Sequence, residues 1–195
     1  MRLFVLSRHA ETTLNHEHRI NGDPSVEVGL TPEGEAQARM LGVEIAGIAI
    51  DLGVHTRFGR TRMTAELALE GRGVSLLEEP LFDDIDVGEL EGRTIEDYRA
   101  WKRAHTRRDP FPGGESLVDA ARRYASGFRA LLARDERRLL VVCHEIAIRY
   151  ALNAAAGSDD LDGPVHAIPN ARPFLVDADT LERAATRIEE LVALS

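Results

Sequence analysis

The hydrophobic positions of this chain follow two periods. Leu3-Phe4-Val5-Leu6 and Leu139-Leu140-Val141-Val142-Cys143 are unbroken apolar runs, too short for helices and suited to strands buried on both faces. Elsewhere apolar residues recur at spacings of three and four, as in Ala38, Leu41, Ile45 and Ile48, which predicts a helix burying one face. Thr31-Pro32-Glu33 opens that helix, with Thr31 as N-cap and Pro32 at the first helical position. Shorter strands are predicted over 50–55, 74–77 and 171–176. Further helices are predicted up to about Leu69 and over 94–105, 116–133, 146–155 and 180–194. Residues 10–29 and the acidic stretch 81–93 read as loops. The alternation predicts an α/β layer fold with a mostly parallel sheet, and no repeat or long linker interrupts it, so 1–195 reads as one domain.

Both buried runs stop on polar chemistry. The first ends at Ser7-Arg8-His9-Ala10-Glu11-Thr12 and the second at His144. In open α/β sheets the carboxyl ends of the strands are where ligands bind, so two histidines are delivered to one edge. Arg8 offers a planar fork of donors for an oxyanion, and His9 can act as nucleophile, acid or base near neutral pH.

Composition narrows the ligand. A net charge of −9 argues against nucleic acid and against an anionic membrane as partners. Lys102 is the only lysine, so any anion site must be built from arginine and histidine. The single cysteine, Cys143, excludes an internal disulfide, and no run has the length of a membrane span or a secretory signal, which reads as a cytoplasmic protein. Cys143 itself, ending a buried strand, reads as a small core residue rather than a nucleophile.

Arg8-His9-Ala10-Glu11-Thr12 resembles the signature of the histidine phosphatase superfamily, which includes the cofactor-dependent phosphoglycerate mutases. Gly22-Asp23, Leu30-Thr31, Gly34, Gln37-Ala38, Thr56 to Ala65 around Arg60, Asp84 to Gly92, Gly114-Glu115-Ser116 and Val141-Val142-Cys143-His144 resemble its later motifs, in order. The resemblance implies a three-layer, phosphoglycerate mutase-like sandwich with helices flanking a mostly parallel sheet. It implies a metal-independent phosphomonoester hydrolase, with no cofactor, acting on a small phosphate ester through a phosphohistidine on His9. Arg8, Arg60 and His144 would hold the phosphoryl oxygens, and Asp84, four residues before Gly88, would be the general acid, with Asp83 as the fallback. Asn15 and Glu115 would assist substrate binding, Glu115 by orienting a histidine or an arginine, and Arg19 and Asp23 are weaker candidates. A mutase, or a weakly catalytic anion-binding or regulatory domain, stand as alternatives, and a homodimer is compatible with the reading.

Two residues depart from the family pattern. Ala10 replaces a glycine, at little cost unless the backbone there needs positive φ. Glu145 replaces the glycine after His144, and a carboxylate aimed at a phosphate would repel it. Glu145 is therefore expected to point outward or to pair with an arginine.

Overall fold

The computed structural model of the chain describes residues 2–194 and contains a five-stranded sheet. In chain order the elements are β1 (Leu3–Arg8), α1 (Thr13–His16), α2 (Pro32–Glu44), β2 (Leu52–His55), α3 (Gly59–Ala68), β3 (Leu76–Glu78), α4 (Ile95–Ala104), α5 (Leu117–Leu132), β4 (Arg138–Cys143), α6 (Glu145–Ala155), β5 (Pro173–Asp177) and α7 (Ala178–Leu194). The strand order is β3-β2-β4-β1-β5, parallel except for β5, which runs antiparallel on the β1 edge.

The two apolar runs are β1 and β4, adjacent strands in the interior of the sheet, as burial on both faces requires. Their side chains alternate between two cores. Phe4, Leu6, Leu139 and Val141 join residues of α5, α6 and α7 on one face, whereas Val5, Leu140 and Val142 join Ala38 and Leu41 of α2 and Ala65 and Ala68 of α3 on the other. Helices cover both faces of a mostly parallel sheet, which is the predicted three-layer arrangement. The apolar stripe of α7, including Leu181 and Ile188, is core. No helix among the described residues is long and apolar enough to cross a membrane.

Thr31 caps α2 as the sequence predicts, and two further helix starts repeat the arrangement. Thr31, Thr94 and Ser116 each accept a bond from the backbone N–H three residues on. Three boundaries differ from the sequence pattern. Strand β2 begins two residues later than predicted because Ile50 and Asp51 precede the ladder, β3 is shifted from 74–77 to Leu76–Glu78, and the last strand is shifted to Pro173–Asp177. Residues 10–29 also hide one helical turn, α1, closed by a capping box between Thr12 and Asn15 that has no apolar period to reveal it.

Gly34, in the first turn of α2, sits against the Glu11 backbone, and a Cβ there would overlap the Glu11 carbonyl oxygen. This close approach anchors the segment that follows His9. Gly34→Ala is expected to destabilise by about 1–3 kcal/mol, seen as a lowered thermal midpoint. An unchanged midpoint would mean that α2 shifts without cost.

Candidate active site

The register of β1 and β4 pairs Arg8 with Cys143, and the His9 amide continues the ladder by donating to the Cys143 carbonyl at 2.9 Å. His9 and His144 therefore leave the sheet at the same level, with ring centroids 5.5 Å apart. His9 lines a cleft of about 740 Å³ together with Arg8, Asn15, Arg60, Asp84 and Glu145, whereas His144 is fully buried behind that lining.

His9 is 3 % exposed and its Nδ1 lies 2.8 Å from the Ala10 carbonyl. A carbonyl only accepts, so Nδ1 carries the ring proton and Nε2 keeps its lone pair. The backbone behind it is held from two sides: Asn170 donates to the His9 carbonyl at 2.7 Å, and the Ala10 amide donates to Thr64 Oγ1 at 2.9 Å. Ala10 is fully buried and is not among the positive-φ residues, so its substitution for glycine brings no backbone strain. Burial holds the His9 imidazole well below its usual range, with Arg60, Arg8 and His144 adding to the effect. The ring is neutral.

Arg60 emerges from the first turn of α3 and is 4 % exposed. Its guanidinium lies 4.1 Å from the Phe58 ring centroid. It donates to the side chain and, at 3.0 Å, to the backbone carbonyl of Asn21, and reaches Asp84 Oδ2 at 3.0 Å and His144 Nδ1 at 3.2 Å. His144 Nε2 is 3.1 Å from Thr56 Oγ1, which meets Thr61 Oγ1 at 2.9 Å, which donates to the Phe58 carbonyl at 2.8 Å. That chain of hydroxyls runs in one direction only if Nε2 donates, so the neutral His144 ring presents an unprotonated Nδ1 to Arg60. Burial is the main cause that lowers the His144 imidazole, against the opposing pull of Asp84.

Asp84 Oδ2 lies 3.0 Å from Arg60 Nη2 and 3.3 Å from His144 Nδ1. Burial acts to raise its carboxyl, but His144 and His9, which gain charge in the acid range where a carboxyl titrates, together with Arg60 outweigh that and hold it well below the ordinary carboxylate range. Asp83, the fallback acid, lies elsewhere. It is paired with Arg57 at 2.5 Å and lines a second cavity, of about 510 Å³, rather than the cleft.

Arg8 Nη1 donates to the Ile168 carbonyl at 2.9 Å and pairs with Glu145 Oε2 at 2.8 Å. The expectation that Glu145 pairs with an arginine holds, and the arginine is Arg8 itself. Asn15 lines the cleft, although its side-chain oxygen is engaged by the Thr12 amide at 3.2 Å. Arg19 lines the outer cleft and is exposed. Glu115 and Asp23 do not reach the cleft. Asp23 caps the Ser25 amide at 2.8 Å. Glu115 pairs with Arg123, whose Nη1 donates to the Asp83 carbonyl at 2.9 Å and Nη2 to that of Asp84 at 3.3 Å. Glu115 thus orients an arginine, as expected, but one that braces the acidic loop from behind and lies outside the lining of the cleft. Direct substrate contact by Glu115 is corrected on that ground. Asn21 and Asn170, which hold Arg60 and the backbone of His9, carried no signal in the sequence, and Thr56, which meets His144, appeared there only as the start of the motif around Arg60. The Cys143 thiol is buried and its pKa pushed up to about 12 by that burial, which removes it as a nucleophile.

Two buried neutral imidazoles give folding a pH dependence. Unfolded histidines take up protons below about pH 6.5, and the folded ones resist. The unfolded state therefore binds more protons as pH falls, and stability is lost below about pH 6.5, by up to about 1.4 kcal/mol per pH unit for each ring. Denaturant titrations between about pH 7.5 and 5.5, in buffer without phosphate, should show that slope, and His9→Gln should remove about one proton's share of it. An identical slope in the variant would contradict the assignment.

A family model described as histidine phosphatase superfamily (branch 1) matches residues 4–190. A curated relative from Erwinia tasmaniensis, named probable phosphoglycerate mutase GpmB, is 31% identical over 160 residues, covering 78% of this chain and 74% of the relative. Among solved structures, TTHB049 from Thermus thermophilus is 33% identical with a TM-score of 0.68, covering 90% of this chain and 93% of that one. The alpha-ribazole phosphatase from Shigella flexneri has a TM-score of 0.78 at 22% identity, with 90% of each chain covered, and shares the fold.

Proposed function

From the premise that the chain belongs to the histidine phosphatase superfamily, we propose that it is a phosphomonoester hydrolase acting through a phosphohistidine on a small phosphorylated metabolite. The observation that carries the reading is His9: a buried neutral imidazole with its proton tied to the Ala10 carbonyl, its Nε2 free, and two guanidinium groups and a second imidazole beside it. A transferring phosphoryl group presents charge on three equatorial oxygens, which calls for fixed donors around it and a nucleophile in line with the leaving oxygen. Arg8, Arg60 and His144 are the donors, and His9 Nε2 attacks phosphorus as the ester oxygen leaves.

Two protonation changes accompany substrate binding. The dianion's charge next to His144 favours a proton on Nδ1, which turns that atom from an acceptor facing Arg60 into a donor to the phosphoryl group. The same dianion takes over the partners that keep Asp84 ionised and repels its carboxylate, so Asp84 gains a proton. It then protonates the departing alkoxide, and as carboxylate it activates the water that cleaves the phosphohistidine. Asn15, at the cleft wall, is placed to contact the bound ester.

A mutase is the second reading, favoured by the name of the curated relative. A mutase must retain the released monoester until it is rephosphorylated. The outer cleft here is walled by exposed side chains, including Arg19, Arg99, Arg103 and His166, which suits release. The test is a panel of phosphate esters assayed with a metal chelator present, with 3-phosphoglycerate followed for both orthophosphate and 2-phosphoglycerate. Orthophosphate release from at least one ester is expected. Formation of 2-phosphoglycerate without orthophosphate would establish the mutase instead, and no turnover alongside orthophosphate binding would establish an anion-binding domain.

A further inference from the structure

We propose that Glu145 is a positioning residue that holds Arg8 until a phosphoryl group arrives, yields it by turning to Arg149, and thereby keeps free orthophosphate weakly bound. The inference rests on the reading of the His9 site as a phosphoryl-transfer site and goes beyond it by assigning a role to a residue outside the family pattern.

The geometry gives Glu145 two arginines. One carboxylate oxygen, Oε2, is 2.8 Å from Arg8 Nη1, and the other, Oε1, is 3.8 Å from Arg149 Nη1, one helical turn further along α6. Both Glu145 and Arg149 line the cleft. Arg8 Nη1 donates to the Ile168 carbonyl and is in ion-pair contact with Glu145, while the buried Arg8 Nε has no partner among the described residues. A phosphoryl group that takes Arg8 must therefore share one guanidinium with a carboxylate or displace it.

Relief lies close by. Arg149 is anchored by Asp162 at 2.6 Å, and its Nη1 donates to the His166 carbonyl at 3.2 Å, so it stays in place to receive Glu145. Asp162 is already shared with Arg107 at 2.6 Å and Lys102 at 3.3 Å, and Asp160 lies 3.6 Å from Arg107, so two carboxylates face three cations and the cluster tolerates another anion. With Asp84 on Arg60, each arginine beside His9 carries a carboxylate of the chain. An ester offsets the displacement through contacts made by the rest of its molecule. Orthophosphate has no such remainder, so the displacement falls wholly on its affinity, and the product leaves.

The test measures orthophosphate as a competitive inhibitor of p-nitrophenyl phosphate hydrolysis in wild type, Glu145→Gln, Glu145→Gly and Arg149→Met. Ki is expected to fall about tenfold in both Glu145 variants, as removal of one charge-assisted competitor implies. It is expected to rise in Arg149→Met, where Glu145 loses its alternative partner. Damage to the fold raises Ki, so a gain of affinity cannot come from a merely structural role, and the two Glu145 variants guard against failure of either to fold. Turnover with Ki unchanged or raised in both Glu145 variants overturns the proposal and leaves the phosphatase reading intact. Neither turnover nor orthophosphate binding in wild type would instead remove the phosphoryl site, and this proposal with it.

Discussion

His9→Ala is expected to lower kcat/KM for every phosphate ester by at least about 10⁴-fold, the scale on which enzymes lose activity when their nucleophile is removed. The magnitude follows from the absence of a substitute. The Cys143 thiol is buried with a raised pKa, and His144 Nδ1 is turned to Arg60. Rapid mixing with a ³²P-labelled ester followed by an alkaline quench should leave label on wild type, stable to base and lost in acid as a phosphoramidate is. His9→Ala should carry none. His9→Asn serves as the fold control because it retains a polar group beside the Ala10 carbonyl. Persistent turnover in both variants, or label on another residue, would remove His9 from the reaction.

Asp84→Asn is expected to divide substrates by their leaving group. Loss of a general acid costs about 10²–10⁴-fold where the departing oxygen needs a proton. An alkyl phosphate should lose that much in kcat/KM, whereas p-nitrophenyl phosphate, whose phenolate leaves unaided, should change by less than about tenfold. The comparison must be made in kcat/KM, which reports the first irreversible step, release of the alcohol. Breakdown of the phosphohistidine is common to both substrates, so kcat should fall for both and a burst of p-nitrophenolate should appear. The free carboxyl is held ionised, so the proton it delivers must arrive with substrate binding. Because that proton must be taken up, kcat/KM for an alkyl phosphate should fall as pH rises, and this alkaline limb should flatten in Asp84→Asn. Equal losses of kcat/KM on both classes would refute the role of acid.

Glu115 and Glu145 show where a motif stops being informative. Both could be singled out from their positions in the chain, yet one lies behind the acidic loop against Arg123 and the other in the cleft on Arg8. A motif identifies a backbone position. Which side of a loop the side chain faces depends on the packing of segments that the motif does not contain.

What the sequence determined by itself is local or periodic. Apolar runs of strand length specified β1 and β4, spacings of three and four specified α2, α5 and α7, and capping residues specified where α2, α4 and α5 begin. Because parallel strands end at one edge, Arg8, His9 and His144 were bound to meet there. Tertiary structure alone decided the rest: the antiparallel β5, the hold of Asn21 on Arg60, the hydroxyl chain behind His144, the contact of Asp84 with Arg60, and the pairing of Glu145 with Arg8. The physical reason is range. Period and capping are read within a few residues, whereas Asn21 with Arg60, or Arg8 with Glu145, are neighbours only because the sheet brings distant segments within the length of a side chain, and burial there fixes the charge each group carries.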